Sequence, residues 1–334
     1  MVEHQPKLSS SEIAMLWGAY IEDTMSKWFL EHALEWIEDP DIRPVVESAK
    51  KTSEGHIIQV SNLFTKEGIP VPQGFTETDV NLNAPQLFSD VFHLRFIHHM
   101  SRAGVATYGV AKTTSARSDV RKMFSEWLNQ TSELYDNVAN VMLSKGTLVR
   151  SPMIPYPTKV EFVHDKEFLS GFFGDKRPLT ALEIAHIATN IETNFVGSTL
   201  IMGFSQVAES AKIRKYMDRG KQISQKQGEI FSSILRKEDI SAPATWDSAV
   251  TGSQVSPFSD KIMMFLVSTL NAVGTGNYGA AMGASMRSDL ITHYSRLMIE
   301  IGQFAKDGAD ILIQNGWMEK PPHALKRKDL VKGN

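Results

Sequence analysis

Residues 8–17, LSSSEIAMLW, return at 179–188 as LTALEIAHIA, with Glu12 and Glu183 in equivalent places at an offset of 171. EGIPVP at 67–72 matches EDISAP at 238–243 at the same offset. Further along the offset is 170, in FSD at 88–90 and 258–260, YG at 108–109 and 278–279, and RSD at 117–119 and 287–289. One residue lost from a loop accounts for the change. A chain that repeats itself at fixed spacing builds one architecture twice, here in halves of about 150 residues.

Each half reads as four helices. Ile42, Val46, Ala49, Ser53, Ile57, Val60 and Phe64 recur at helical spacing. Pro40 separates this helix from the one before it, and Pro70 and Pro72 stop it. A third helix is expected from about 87 to 113 and a fourth from about 118 to 144, with TTSARSD supplying cap residues between them. Strand-like alternation is scarce. Tight links make helices one and two antiparallel, and likewise three and four. The second-to-third connection, IPVPQGFTETDVNLNAP at 69–85, is much longer, and ISAPATWDSAVTGSQVSP at 240–257 repeats it. Two helical hairpins joined by a long crossover form the ferritin-like arrangement. The expected fold class is therefore all-α, two tandem ferritin-like four-helix bundles related by internal duplication. The first bundle is expected over 1–146, an ordered connector over 147–178, the second bundle over 179–320 and a basic C-terminal tail over 321–334. Pro152, Pro155 and Pro157 stiffen the connector, and Phe162, Phe168, Phe172 and Phe173 predict that it packs on the bundles.

Composition narrows the function classes. The net charge of −3 gives no broad basic excess for nucleic acid. Lys326, Arg327, Lys328 and Lys332 read as a solvated tail. With no cysteine there is no disulfide, thiolate metal site or cysteine nucleophile. MVEHQPKLSS lacks the apolar core of a signal peptide. Residues 262–286 carry no charge and are long enough for a membrane span. Ser268, Thr269, Asn271, Thr275, Asn277 and several glycines make a buried bundle helix the better reading. The expectation is a cytoplasmic protein with no transmembrane segment and no nucleic-acid partner.

GTGNYG at 274–279 spells the G-x-G-x-x-G of a dinucleotide turn. Its counterpart, GVATYG at 104–109, keeps the outer glycines and lacks the middle one, and both fall inside helical stretches. Close helix packing, not phosphate binding, is the expectation, with Tyr108 and Tyr278 as buried, hydrogen-bonded tyrosines. A di-iron bundle needs a carboxylate from two helices and Glu-x-x-His from the other two. That constellation is missing from both halves. A weaker candidate is Asp23, His56 and His98, near the apolar seams of helices one, two and three at similar heights. One carboxylate and two imidazoles suit Zn or Fe. The competing reading is a polar layer satisfied by hydrogen bonds and buried water, and the duplicates Asn194, Gln227 and Ser268 are no metal set. Asp90 and Asp260 at a helix start, and Arg117 with Asp119 and Arg287 with Asp289 at the third turn, recur in both halves. The aspartates are expected to cap helices and the arginines to fasten a crossover or domain interface. Trp246 and Asp247 stand in a crossover, where no chemistry converges on them.

DVNLNAPQLFSD, SARSD, GDKRPLTALEIAHI, TWDSAVT, FSDKIMMF, GNYG and NGWMEKPP together resemble the bacterial family known as domain of unknown function 3231. The likeness spans nearly the whole chain. It implies tandem ferritin-like bundles, distantly similar to spore coat proteins of the coat F type, in spore-forming Gram-positive bacteria. It implies no activity and no catalytic residues, and it implies histidine in relatives where this chain has Gln227. The leading expectation is a structural or binding protein without cofactor or catalytic residues, with spore-coat or self-association partners. One alternative is a single-metal or oxygen-handling site in the first half. Another is a carrier of a small apolar ligand, its cavity lined by the 262–286 helix and some of the 15 methionines.

Overall fold

Pairing of helices by their apolar faces builds both bundles. The computed structural model describes residues 6–172 and 176–327. Among them lie eight long helices: α1 Ser10–Trp36, α2 Arg43–Glu67, α3 Asp90–Thr114, α4 Ser118–Ser144, α5 Ala181–Val207, α6 Ala211–Arg236, α7 Asp260–Ala284 and α8 Ser288–Gln314. Four make each bundle, in the hairpin, crossover, hairpin order read from the repeats. No helix among the described residues is long and apolar enough to cross a membrane.

Local chemistry sets the helix ends. Ser9 and Thr180 cap α1 and α5, each in a capping box with the glutamate three residues on, Glu12 and Glu183. Ser89 and Ser259 cap α3 and α7 through their hydroxyls. Gly68 closes α2 in the left-handed region at φ 67°, where a side chain would be strained.

The bundles do not have separate cores. One hydrophobic cluster runs from Met25 and Phe29 in α1 through Phe88, Phe92 and Phe96 to Phe204, Phe258 and Phe304 in the second half. Phe29 stacks on Phe258 at 5.2 Å, and Phe88 meets Phe204 edge-on at 5.9 Å. Fully burying each such ring is worth roughly 1.5–3 kcal/mol. A smaller cluster fills the far end of each bundle, around Phe124 and Trp127 in the first and Phe231 and Tyr294 in the second.

The crossovers meet between the halves as a short antiparallel ribbon. Val80 pairs with Phe258 and Phe88 with Val250. Asn81 N donates to Pro257 O at 2.8 Å, and Thr251 N donates to Leu87 O at 3.0 Å. Ser259 N donates to Asp79 O and Ser89 N to Ala249 O, both at 2.9 Å. Each bond is the duplicate of its partner at the 170-residue offset, so the halves face one another across a pseudo-twofold axis.

Two expectations need correcting. GTGNYG does lie within α7, but not because helices crowd it: a Cβ on Gly274, Gly276 or Gly279 meets nothing within 4 Å. Close approach falls instead at Gly220, Gly228 and Gly308, where a Cβ would come within 2.5 Å of the Phe304 ring, 2.5 Å of the Phe195 ring and 2.3 Å of the Tyr216 hydroxyl. The connector does not pack along its length. Tyr156 is 94% exposed, Val160 86% and Phe162 79%. It is held near its ends, where Leu148 packs on the shared core and Lys176 pairs with Asp289. Phe173, Lys328 and Lys332 lie outside the described residues.

Candidate functional site

The inward stripe of α1 runs Leu16, Ala19, Asp23, Leu30, Ala33, and that of α2 runs Val46, Ala49, Ser53, His56, Val60. Each stripe is apolar apart from a short polar step near its middle, and those steps meet. Asp23 Oδ2 lies 3.2 Å from His56 Nδ1. Tyr108 Oη from α3 lies 3.4 Å from the same nitrogen, and Gln130 Oε1 from α4 is 3.2 Å from Nε2. Trp127 stacks on the imidazole at 4.1 Å. All four helices thus contribute one polar group to a layer across the first bundle.

The duplicates of these residues make a second layer. Asn194 Nδ2 donates to Tyr278 Oη at 2.7 Å, and Tyr278 Oη donates to Gln227 Oε1 at 2.8 Å. Gln227 Nε2 donates to Glu300 Oε2 at 2.9 Å. Burial pushes the Tyr278 hydroxyl above its ordinary range, so it serves as a neutral donor and acceptor. The layer borders a cavity with about 40 Å³ of room, lined by Thr193, Gly197, Ser224, Asn271 and Gly274 among others. That holds a few waters at roughly 10–15 Å³ each.

The expected trio Asp23, His56 and His98 is not assembled. Asp23 and His56 meet, but the His98 ring stacks on Tyr135 at 4.9 Å and its Nε2 has no hydrogen-bond partner. Burial, with Arg102 and Arg95 nearby, holds His98 down at about 4, and burial beside Arg102 and His98 holds His99 at about 3. Both rings are neutral; His99 accepts from Arg102, which reaches Thr193 of the second half, while His98 stays against its own bundle's Tyr135. Among the described residues no three His, Asp or Glu side chains gather to hold a metal. Both nitrogens of His56 face protein groups, so an ion there would have to displace one.

The repeated acids and arginines fasten helix ends. Asp90 does not cap its own helix; Ser89 does, while Asp90 Oδ2 accepts the amides of Glu38 and Asp39, each at 3.0 Å. Asp260 accepts those of Glu209 at 3.1 Å and Ser210 at 3.0 Å in the same way. Arg117 grips Asp119 through two bonds and Glu67 at 2.7 Å. Arg287 grips Asp289 likewise and also pairs with Glu238. These arginines close the end of each bundle, tying the α3–α4 and α7–α8 turns to α2 and α6, and not a crossover or domain interface. Glu12 and Glu183 complete the closure. Glu12 accepts the amides of Ala116 at 2.9 Å and Arg117 at 2.7 Å, and Glu183 those of Met286 and Arg287, both at 3.2 Å.

Sequence reading missed Gln130 and Glu300. Their signal was present: both are polar, 170 apart and one residue before a buried seam position, Thr131 and Ile301.

The family model for the protein of unknown function DUF3231 matches twice, over residues 1–160 and 167–330. No curated protein matches the chain. Among solved structures, a candidate spore coat protein from Bacillus halodurans is 18% identical, covering 45% of this chain and 98% of its own, at a TM-score of 0.41.

Proposed function

The chain belongs to the DUF3231 family, and we propose that it acts as a non-catalytic structural and binding protein of ferritin-like topology, with its two bundles serving as a rigid frame. One observation carries this reading. The polar positions that a metal-dependent bundle would use are hydrogen-bonded to one another in both halves, Asp23, Gln130 and Tyr108 around His56 and Asn194, Tyr278 and Glu300 around Gln227. The chamber beside the second layer, about 40 Å³, is far below the roughly 300–1,000 Å³ of a small-molecule pocket. That counts against a carrier of apolar ligands.

Native mass spectrometry with elemental analysis of the purified full chain tests the proposal. The expected result is a mass of 37.3 kDa for each chain present, without stoichiometric metal or ligand. A second reading, a single zinc or iron in the first bundle, has the 3.2 Å approach of Asp23 to His56 in its favour. One metal per chain, lost in His56→Ala, would replace the structural reading with this one. The spore association implied by the sequence resemblance belongs to the proposal, and immunoblots of purified spores against vegetative cells test it.

A further inference from the structure

The ribbon between the halves has the geometry of a closed two-fold dimer, but its chemistry is not symmetric. Duplicate positions 95 and 265 carry arginine and phenylalanine. Arg95 lies under the Trp246 ring at 3.6 Å, while Phe265 meets Phe75 edge-on at 5.1 Å. Arg95, almost fully buried, also pairs with Glu192 of α5 at 3.4 Å and donates to Thr147 O at 2.6 Å. The duplicate of Glu192 is Ile21. Asp79 accepts from the Ser259 hydroxyl at 2.8 Å and lies 3.8 Å from Lys261 Nζ. The duplicates of Asp79 and Lys261 are Ala249 and Val91.

Matching backbones would let any half pair with any other. The charges do not. Two first halves together would set Arg95 against Ile21 and Asp79 against Val91. Two second halves would set Glu192 against Phe265. Each arrangement buries a charge without its counter-charge, which only the first-to-second pairing avoids. Between the halves runs a connector exposed on nearly every residue from 149 to 163, with Leu148 on the shared core at one end and Lys176 paired with Asp289 of the second half at the other. So exposed a stretch does not by its packing fix the two halves it joins as the two that pair.

We propose that the inter-half face is a docking surface for a second copy of this chain: the first half of one copy pairs with the second half of another, through the same ribbon and the Arg95–Glu192 contact, with the connector re-aimed. The exchanged and closed forms make the same interface, so they differ mainly in connector path and concentration. The inference holds whether or not the protein is a structural one.

A charge swap tests it. In Arg95→Glu the interface opposes two carboxylates, and in Glu192→Arg two guanidiniums. Coexpressed with different tags, these two variants can restore both pairs only by reciprocal exchange. The expected product is a mixed complex at twice the 37.3 kDa chain mass by native mass spectrometry, at least tenfold more abundant than complexes within either variant alone. The doubly reversed chain, R95E with E192R, restores the pair within one copy and controls for folding. A folded double variant combined with no mixed complex in the coexpressed pair would overturn the proposal. So would complexes equally abundant within a single variant, since those would not depend on the charge pair.

Discussion

Acid should unlock the second bundle through Glu183, whose carboxylate the folded structure keeps charged well below its ordinary range. Glu183 is 1% exposed. Burial alone would raise its pKa, but two bonds from Arg177 at 2.8 and 2.9 Å, with the amides of Thr180 and Arg287, hold it at about 2 against an ordinary 4.5. That gap corresponds to about 3 kcal/mol of folding free energy. The sign follows from the folded value being the lower one. The stabilisation is complete above about pH 4.5, fades as the pH falls, and is gone near pH 2. Glu183→Gln should therefore lower stability at pH 7 by about 3 kcal/mol, within the range for breaking a buried ion pair. Urea titrations of both proteins at fixed salt, followed by circular dichroism from pH 7 to pH 2.5, measure the gap. It should shrink below about 4.5 and nearly close at the acid end. A gap that stays constant with pH, or one under ~1 kcal/mol at pH 7, would refute the reasoning. Glu12, with Pro6 where the second half has Arg177, should show the same sign and a smaller gap, its pKa being lowered by amides and Ser9 against the cost of burial.

Gly228→Ala would drive a Cβ to 2.5 Å from the Phe195 ring and should cost ~1–3 kcal/mol in urea melts. Gly276→Ala in α7, where the Cβ meets nothing within 4 Å, should instead gain ~0.5–1 kcal/mol by helix propensity alone. His56→Gln copies the residue that the second half carries at Gln227 and should cost under ~1.5 kcal/mol, whereas His56→Leu strands Asp23 and should cost ~2–3 kcal/mol by the same measurement. Brief trypsin treatment should cut first at Arg150 and Lys159 in the exposed connector. The two fragments should then elute together on size exclusion, because the shared core and the ribbon hold them.

The repeats made the architecture legible, because loop length and apolar spacing are local properties. The site was only half legible, and α3 explains why. From Phe92 to His99 every residue is buried, because this helix faces its own bundle on one side and the second half on another. A helix covered on more than one side has no polar stripe to report its orientation, so spacing could not tell which of the adjacent His98 and His99 faced the bundle centre. Gln130 escaped because it sits beside its seam rather than on it. The connector misled for a different reason: aromatic content measures how much burial a segment can profit from, and says nothing about whether a surface exists to receive it.

In a true homodimer every substitution appears twice, once on each side of the axis, and must be tolerated in both places. Joining the two partners into one chain lifts that rule. Position 95 is arginine while its image at 265 is phenylalanine, and a contact that is apolar on one flank is ionic on the other. A symmetric ancestor could reach such a pairing only through a doubled change. Here positions 95 and 192 carry charge while their images at 265 and 21 do not, which leaves the two flanks of this seam free to evolve separately.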